Sequence, residues 1–267
     1  MSNNASATPH AGHRERLRAR YAESGGEGFL DHQFLELLLT YAVPRRDTNE
    51  LAHALLARFG SLEQVFCASI AQLQAVGGVG KSVAVFLRMQ GDLIRRISLA
   101  SLADARGRVK LNTPLAAAQF ALARLHAHPY ETMLLTCLNS RCEAVRTETL
   151  QRGSLTEAPV YPRVIAETAL LNHAHSVLLM HNHPSGNPAP SEEDASVTEA
   201  VKAALSGIGV RLSDHLIVGG AFVYSYSADV LIDLSAAQPK TLPLAAFASA
   251  QAAGSGALLR VMEAYSG

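Results

Sequence analysis

The 267-residue chain lacks closely spaced cysteines, long apolar runs and net charge, and each absence removes a class of protein. Its cysteines, Cys67, Cys137 and Cys142, are odd in number and include no C-x-x-C pair. That excludes a disulfide framework and a thiolate metal site, and the expectation is buried free thiols. No stretch of about 18 apolar residues occurs, which excludes a membrane-spanning helix. The start, MSNNASATPHAGH, has no basic segment followed by an apolar one, so no secretory leader is expected. The chain therefore reads as soluble and cytoplasmic, with no membrane partner. The formal charge of zero hides a division: residues 1–110 carry 14 Lys/Arg against 10 Asp/Glu, and residues 111–267 carry 9 against 13. A mildly basic front tolerates a polyanion without demanding one, because net charge bears on association and not on fold.

What is present is ordinary globular material. Nearly half of the residues (48%) are apolar and 17% are charged, enough to bury a core, and the length favours two modest domains. Residues 1–12 are small and polar and read as a disordered tail. From 13 to 100 the apolar spacing is helical: Leu35, Leu38 and Leu39 share a face, as do Leu51, Ala52 and Leu55, and Leu62, Val65 and Phe66 follow, with breaks at Pro44, Gly60 and Gly77 to Gly80. Residues 101–113 lose that periodicity and read as a linker.

From 114 the texture alternates. A helix across Leu115 to Leu125 precedes a hairpin of Met133 to Leu138 and Ala144 to Leu150. Pro162 opens a second helix, Ser176 to Met180 is a buried strand, and Ser191 to Leu205 is a third helix. Val210 to Val218 and Phe222 to Tyr226 close the set across Gly219 and Gly220. The predicted class is α+β: a small all-helical domain (13–100), then a mixed sheet between helices (114–235). Residues 236–267 are an Ala-rich tail to which no function is assigned.

The chemistry concentrates at one loop. His181 and His183 follow a buried strand, and side chains two apart on a strand point the same way. A bare H-x-H is weak evidence, since His126 with His128 and His173 with His175 have the same spacing. What distinguishes 181/183 is its sequel, PSGNPAP and then Ser191, Glu192, Glu193 and Asp194. Three prolines stiffen the loop, and Gly186 and Asn187 permit the positive φ that a reversal needs. Ser191 with Asp194 three residues on reads as a helix cap that holds a carboxylate at the loop's return. Two imidazoles and one carboxylate leave a fourth tetrahedral position open, the mark of a catalytic rather than structural zinc site. A base is also required, and the returning strand of the hairpin offers Glu148 and Glu143. Spacing alone does not choose between them. Asn182 is placed to orient the ligands.

The string HNHPSGNPAPSEED resembles the JAMM signature of the MPN+ metalloprotease fold, and its setting, RGSLTEAPVYPRVIAETALLNHAHSVLLMHNHPSG with DHLIVGG, resembles the bacterial RadC-like proteins over about residues 13–235. The resemblance implies a mixed sheet between helices similar to that of the cytidine deaminases (an MPN/JAB fold). It implies His181, His183 and Asp194 as Zn2+ ligands, Glu148 rather than Glu143 as general acid/base, and Ser191 as a stabiliser of the tetrahedral intermediate. The implied substrate is a peptide or isopeptide. Eukaryotic relatives cleave isopeptide bonds to ubiquitin, a substrate not carried over here. Tyr161 stands where many relatives have His. A nucleobase deaminase, the other zinc chemistry on such a sheet, needs P-C-x-x-C, which is absent.

In the front half, LQAVGGVGK places Gly78, Gly80 and Lys81 ahead of a helical stretch. Framed as L-x-x-V-x-G-V-G between two helices, it resembles a helix-hairpin-helix, a module that grips the DNA backbone without reading sequence. Arg14, Arg16, Arg18, Arg20, Arg45 and Arg46 suit phosphate contacts. The rival to a metallopeptidase is thus a DNA-binding repair or recombination accessory protein whose zinc site is structural or serves a metal-dependent nuclease.

Overall fold

Two apolar runs, TMLLTCL and SVLLMHN, are buried along their whole length, and strands of that kind must be covered on both faces. The computed structural model describes residues 9–44, 46–126, 128–153, 162–235 and 238–247. They form two compact units that divide between Ile94 and Arg95.

The first unit is helical: α1 (Pro9–Ser24), α2 (Asp31–Ala42), α3 (Asn49–Phe59), α4 (Leu62–Cys67), α5 (Ile70–Gln74) and most of α6 (Lys81–Ser101). Leu35, Leu39, Leu55, Val65, Leu73 and Leu87 lie in its core. Ser61 and Ser69 cap α4 and α5, each hydroxyl accepting a backbone N–H three residues on at 3.2 Å, a cap worth about 1 kcal/mol. Pro44, Gly60 and residues 77–80 fall between helices, as the sequence predicts.

The second unit carries α7 (Pro114–Leu125), β1 (Thr132–Leu138), β2 (Ala144–Arg152), α8 (Pro162–Leu171), β3 (Ser176–Asn182), α9 (Glu192–Ser206), β4 (Arg211–Gly219), β5 (Phe222–Ser225), β6 (Val230–Asp233) and β7 (Lys240–Pro243). The strands form one sheet in the order β2-β1-β3-β4-β5-β6-β7. The β3–β4 pair is parallel, connected through α9, and the other described pairs are antiparallel. Alternation sorts the side chains into layers. Leu134, Leu178, Met180 and Leu216 meet Phe120 and Leu125 of α7 on one face. Met133, Leu135, Val177 and Leu179 meet Ile165 of α8 with Val201 and Leu205 of α9 on the other. This is the expected α+β arrangement, a mixed sheet between helices.

Three expectations need correction. Residues 9–12 belong to α1 and not to a tail. Helix α6 runs to Ser101, and the rest of the 101–113 segment is a turn tied to the sheet: Ala103 bridges Val109, Lys110 bridges Glu143, and Leu111 is buried. Its polar composition disguised this, because Asp104 satisfies the turn by accepting the N–H groups of Arg106 and Arg108. Past residue 235 the chain adds β7, and Leu242 and Phe247 are buried. Strands of four residues such as β6 and β7 offer too few alternations for a periodic signal. Of the cysteines, all free, Cys137 is buried while Cys67 and Cys142 are half-buried. No helix among the described residues is long and apolar enough to cross a membrane.

Candidate metal centre

Val177, Leu179 and His181 share the α9 face of β3. His183 keeps that parity because its N–H continues the ladder to the Val218 carbonyl at 2.8 Å. The chain then turns: Gly186 adopts φ +81° and its N–H returns to the His183 carbonyl at 3.0 Å. The reversal rests on Gly186, whereas Asn187 contributes its carbonyl, which accepts the His183 Nδ1–H at 2.7 Å. The loop lies directly on the end of β4. A Cβ on Gly219 would stand 2.5 Å from Pro188 N and 2.7 Å from Asn187 C, so only glycine lets the loop close there.

The loop delivers the chain to α9 through a reciprocal cap. Ser191 Oγ accepts from Asp194 N at 3.1 Å, and Asp194 Oδ2 accepts from Ser191 N at 2.8 Å and from the Ser191 hydroxyl at 2.7 Å. The cap leaves Asp194 fully buried beside the histidines. His181 Nε2 lies 2.9 Å from His183 Nε2 and 3.0 Å from Asp194 Oδ1, and His183 Nε2 lies 3.4 Å from Asp194 Oδ2. Ligand atoms of all three residues fall within 4.8 Å of one another.

These donors fit a metal ion on two grounds. Zinc bonds of about 2.0–2.1 Å in a tetrahedron place ligand atoms about 3.3–3.4 Å apart, close to the separations seen. Asp194 Oδ1 is buried without a hydrogen bond, a cost that a cation at this point removes. The electrostatics agree. Burial would raise the Asp194 carboxyl, but the imidazoles of His181 and His183 and the Ser191 hydroxyl hold it far below the usual carboxylate range. Burial works against a charged His183, yet hydrogen bonds to Asp194 and Asn187 and the charges of Asp194 and Glu131 push it above the usual imidazole value. Behind the site, the completely buried His215 is held well below that value by desolvation, then by the charge of His181. Neither of the other H-x-H pairs joins a metal-capable cluster among the described residues.

The base is where sequence and structure part. Glu148 was expected near β3, but β1 lies between β2 and β3, and Glu148 pairs with Leu135, which pairs with Leu179. Strand spacings put its Cα about 12 Å from that of His181, and its carboxylate accepts from Arg146 Nε at 2.6 Å. Glu143 sits in the hairpin turn at the opposite end of the sheet, paired with Arg108 at 2.9 Å and Asn139 at 2.8 Å. The glutamate that shares the field of the cluster is Glu131, just before β1 and two residues from Met133, the partner of His181. Burial raises its carboxyl, His181 and His183 lower it, and Asp194 raises it. Sequence reasoning missed Glu131 because a residue ahead of the strand's apolar run looks like a solvated strand end. The available signal was parity: Glu131, Met133 and Leu135 alternate, so Glu131 faces the same side as His181.

Asn182 also has a different task from the one expected. Its Oδ1 accepts from Thr132 N at 2.9 Å and its Nδ2 donates to the carbonyls of His128 and Tyr130, so it fixes the segment that carries Glu131. Gly153 N adds a bond to the Glu131 carbonyl at 2.8 Å. Ser191, expected to face the substrate, has its hydroxyl proton committed to Asp194. Tyr161 lies outside the described residues.

In the helical unit, Gly78 takes φ +90° and Val76 and Val79 are buried, leaving Gly78, Gly80 and Lys81 exposed at the start of α6. A cavity of about 220 Å³ beside the turn is lined by Arg46, Asp47, Glu50, Leu51 and Gly78, among others. Arg14 donates to the carbonyls of Pro44 and Arg46, and Arg20 to that of Gly28, so these two arginines serve the fold. Arg45 lies outside the described residues.

A mixed sheet between helices, with an H-x-H at one strand end and a carboxylate at the next helix start, defines a JAB-type domain with a metal-capable centre. The model of the RadC-like JAB domain matches residues 111–231. A UPF0758 protein of Fusobacterium nucleatum subsp. nucleatum is 33% identical over 225 residues, covering 83% of this chain and 97% of that protein. UPF0758 proteins of Janthinobacterium sp. (strain Marseille) and Rhodobacter capsulatus are 37% and 36% identical, covering 80% and 81% of this chain and 94% and 100% of theirs. The chain belongs to this RadC-like UPF0758 family.

Proposed function

We propose that the chain is a zinc-dependent hydrolase of the peptidase or isopeptidase type, with His181, His183 and Asp194 as ligands and Glu131 in place of Glu148 as general base. The observation that carries this is the convergence of two Nε2 atoms 2.9 Å apart with a buried, unbonded carboxylate oxygen 3.0 Å from the first of them, all three residues offering ligand atoms within 4.8 Å of one another. Zinc, when bound, acts as a Lewis acid toward a carbonyl oxygen and lowers the pKa of water toward about 7. The remaining work falls to the chain. Asn187 holds the proton on His183 Nδ1, which leaves Nε2 with its lone pair. Ser191 orients Asp194 through Oδ2 and keeps Oδ1 free; to serve an oxyanion its hydroxyl would have to leave Asp194. Glu131, raised by burial, takes a proton from the attacking water at its carboxylate and passes it to the leaving nitrogen.

A second reading applies to the helical unit. The exposed turn at Gly78 and Gly80 with Lys81 at the head of α6 supports a non-specific contact with the DNA backbone. The experiment that tests the hydrolase is a measurement of zinc per chain, followed by incubation of the wild-type and His183→Ala proteins with peptide, isopeptide and DNA substrates. Amide cleavage lost with His183 supports the hydrolase, whereas cleavage of DNA alone replaces it with a nuclease.

A further inference from the structure

His181 has a second partner, and the hydrogen bonds behind it can be directed without ambiguity. Thr198, one turn after Asp194 on α9, places Oγ1 2.6 Å from the Asp194 carbonyl and 2.6 Å from His215 Nδ1. A carbonyl only accepts, so the hydroxyl proton goes to Asp194, and Thr198 Oγ1 must accept from His215. His215 Nδ1 therefore carries a proton. The residue is 1% exposed and, among the described residues, its ring hydrogen-bonds to His181 and Thr198 and not to a carboxylate that would justify a second proton, so its Nε2 is an acceptor. That atom lies 2.9 Å from His181 Nδ1, which donates to it. With its proton on Nδ1, His181 presents the lone pair of Nε2 to Asp194 and His183.

We propose that His215 and Thr198 are positioning residues for the metal centre: they fix His181 in its Nδ1–H tautomer and tie it, through one chain of hydrogen bonds, to the backbone of the third ligand. The chain links β3, β4 and α9, so the two most buried ligands, His181 and Asp194, are held together from behind before any ion arrives. The neighbourhood keeps His215 itself in place. Asp214 Oδ1 accepts the His215 N–H at 2.8 Å, Tyr226 N donates to the His215 carbonyl at 3.0 Å, and the Tyr226 ring lies beside the imidazole at 6.3 Å. This deepens the proposed metal site and rests on it. Outer partners of this kind are worth roughly 10- to 100-fold in metal affinity.

The test uses the full chain, zinc ions alone and a chromophoric chelator as competitor. His215→Phe, which fills the space without hydrogen bonds, is expected to weaken zinc binding roughly 10- to 100-fold. His215→Gln, which can accept from His181 and donate to Thr198, is expected to recover most of that loss, which a purely space-filling role would not produce. Nitrogen-15 NMR of the unmutated, zinc-loaded protein gives an answer that needs no variant to fold: His215 is expected as a neutral ring protonated on Nδ1. A His215 protonated on Nε2, or a folded His215→Phe protein that binds zinc within about twofold of wild type, overturns the proposal. His183→Ala separates the two levels. If it loses zinc while His215→Phe does not, only the relay fails; if it binds zinc like wild type, the metal centre fails as well.

Discussion

Three glutamates on and around the β1–β2 hairpin meet opposite fates. At the turn end Glu143 is bound to Arg108 and Asn139, and on the outer strand Glu148 is bound to Arg146. At the open end Glu131 faces His181, His183 and Asp194, and burial pushes it up. A carboxylate held by a guanidinium at the sheet's edge has its oxygens engaged there, whereas one raised by burial near a cation site is suited to general-base work. The residue type is the same throughout. Its position on the sheet decides what it can do.

The sharpest way to break this comparison is to neutralise the glutamates one at a time. Glu131→Gln is expected to keep zinc and lower turnover by roughly 10²- to 10⁴-fold, while Glu148→Gln stays within about twofold, because an exposed pair of this kind contributes little. Metal analysis with steady-state rates on an amide substrate checks both. A large loss in Glu148→Gln with an intact Glu131→Gln would restore the sequence-based assignment.

The distance of Glu148 from the cluster shows which parts of a site a sequence reveals. His181, His183, Ser191 and Asp194 lie within fourteen consecutive residues, and local rules of strand parity, loop stiffness and capping bring them together. The position of a base on another strand depends on strand order. The hairpin pairing was legible, but the insertion of β1 between β2 and β3 is a long-range fact with no local signature. His215 was invisible for the same reason. It lies thirty-four residues from His181, between Asp214 and the apolar run Leu216 to Val218, and the parallel register beside β3 is what turns it toward the site. Helices and long strands were legible through periodicity, while β6, β7 and the tied turn after α6 were too short or too polar to register.

The second comparison is between glycines around the site loop. Gly219 carries the loop backbone and Gly207 closes α9 at φ −63° with only ordinary contacts around an added Cβ. Gly219→Ala is expected to cost roughly 1–3 kcal/mol through overpacking, because the clash is with backbone. Gly207→Ala is expected to be neutral or to stabilise by up to about 1 kcal/mol, through a less mobile unfolded chain. Chemical denaturation of the metal-free proteins, with zinc affinity measured beside it, checks both. Equal stability in the two variants would show that the loop does not need its seat on β4.

Proton competition sharpens the contrast between Asp194 and His183. Asp194 stays ionised far below neutrality, so it offers protons no foothold. His183 is raised above the usual imidazole value of 6.5, so protons compete for its Nε2 at a higher pH than for an ordinary imidazole. Its contribution to the metal-free fold is complete below 6.5 and fades as pH rises through the shifted value. Zinc binding runs the other way. Affinity is expected to fall about tenfold per pH unit once the pH drops below that value, with the onset above 6.5. Because Glu131 is one of the charges that raise His183, Glu131→Gln is expected to move the onset downward. An onset unchanged in that variant would separate Glu131 from the cluster.

The smallest expected effect lies in the helical unit, where the turn before α6 is set against the arginines of α1. Arg14 and Arg20 donate to backbone carbonyls of their own unit, so their removal is expected to disturb folding as much as binding. Lys81 is exposed at the head of α6, where it can meet a phosphate without breaking any such bond. Lys81→Ala is therefore expected to leave thermal stability unchanged and to reduce the slope of log affinity for duplex DNA against log salt by about 1, equally for any sequence. Asp47 and Glu50 line the cavity beside Gly78, so any phosphate contact is expected at the turn itself. If the slope is the same in wild type and variant, the exposed glycines serve to turn the chain and Lys81 is only solvated.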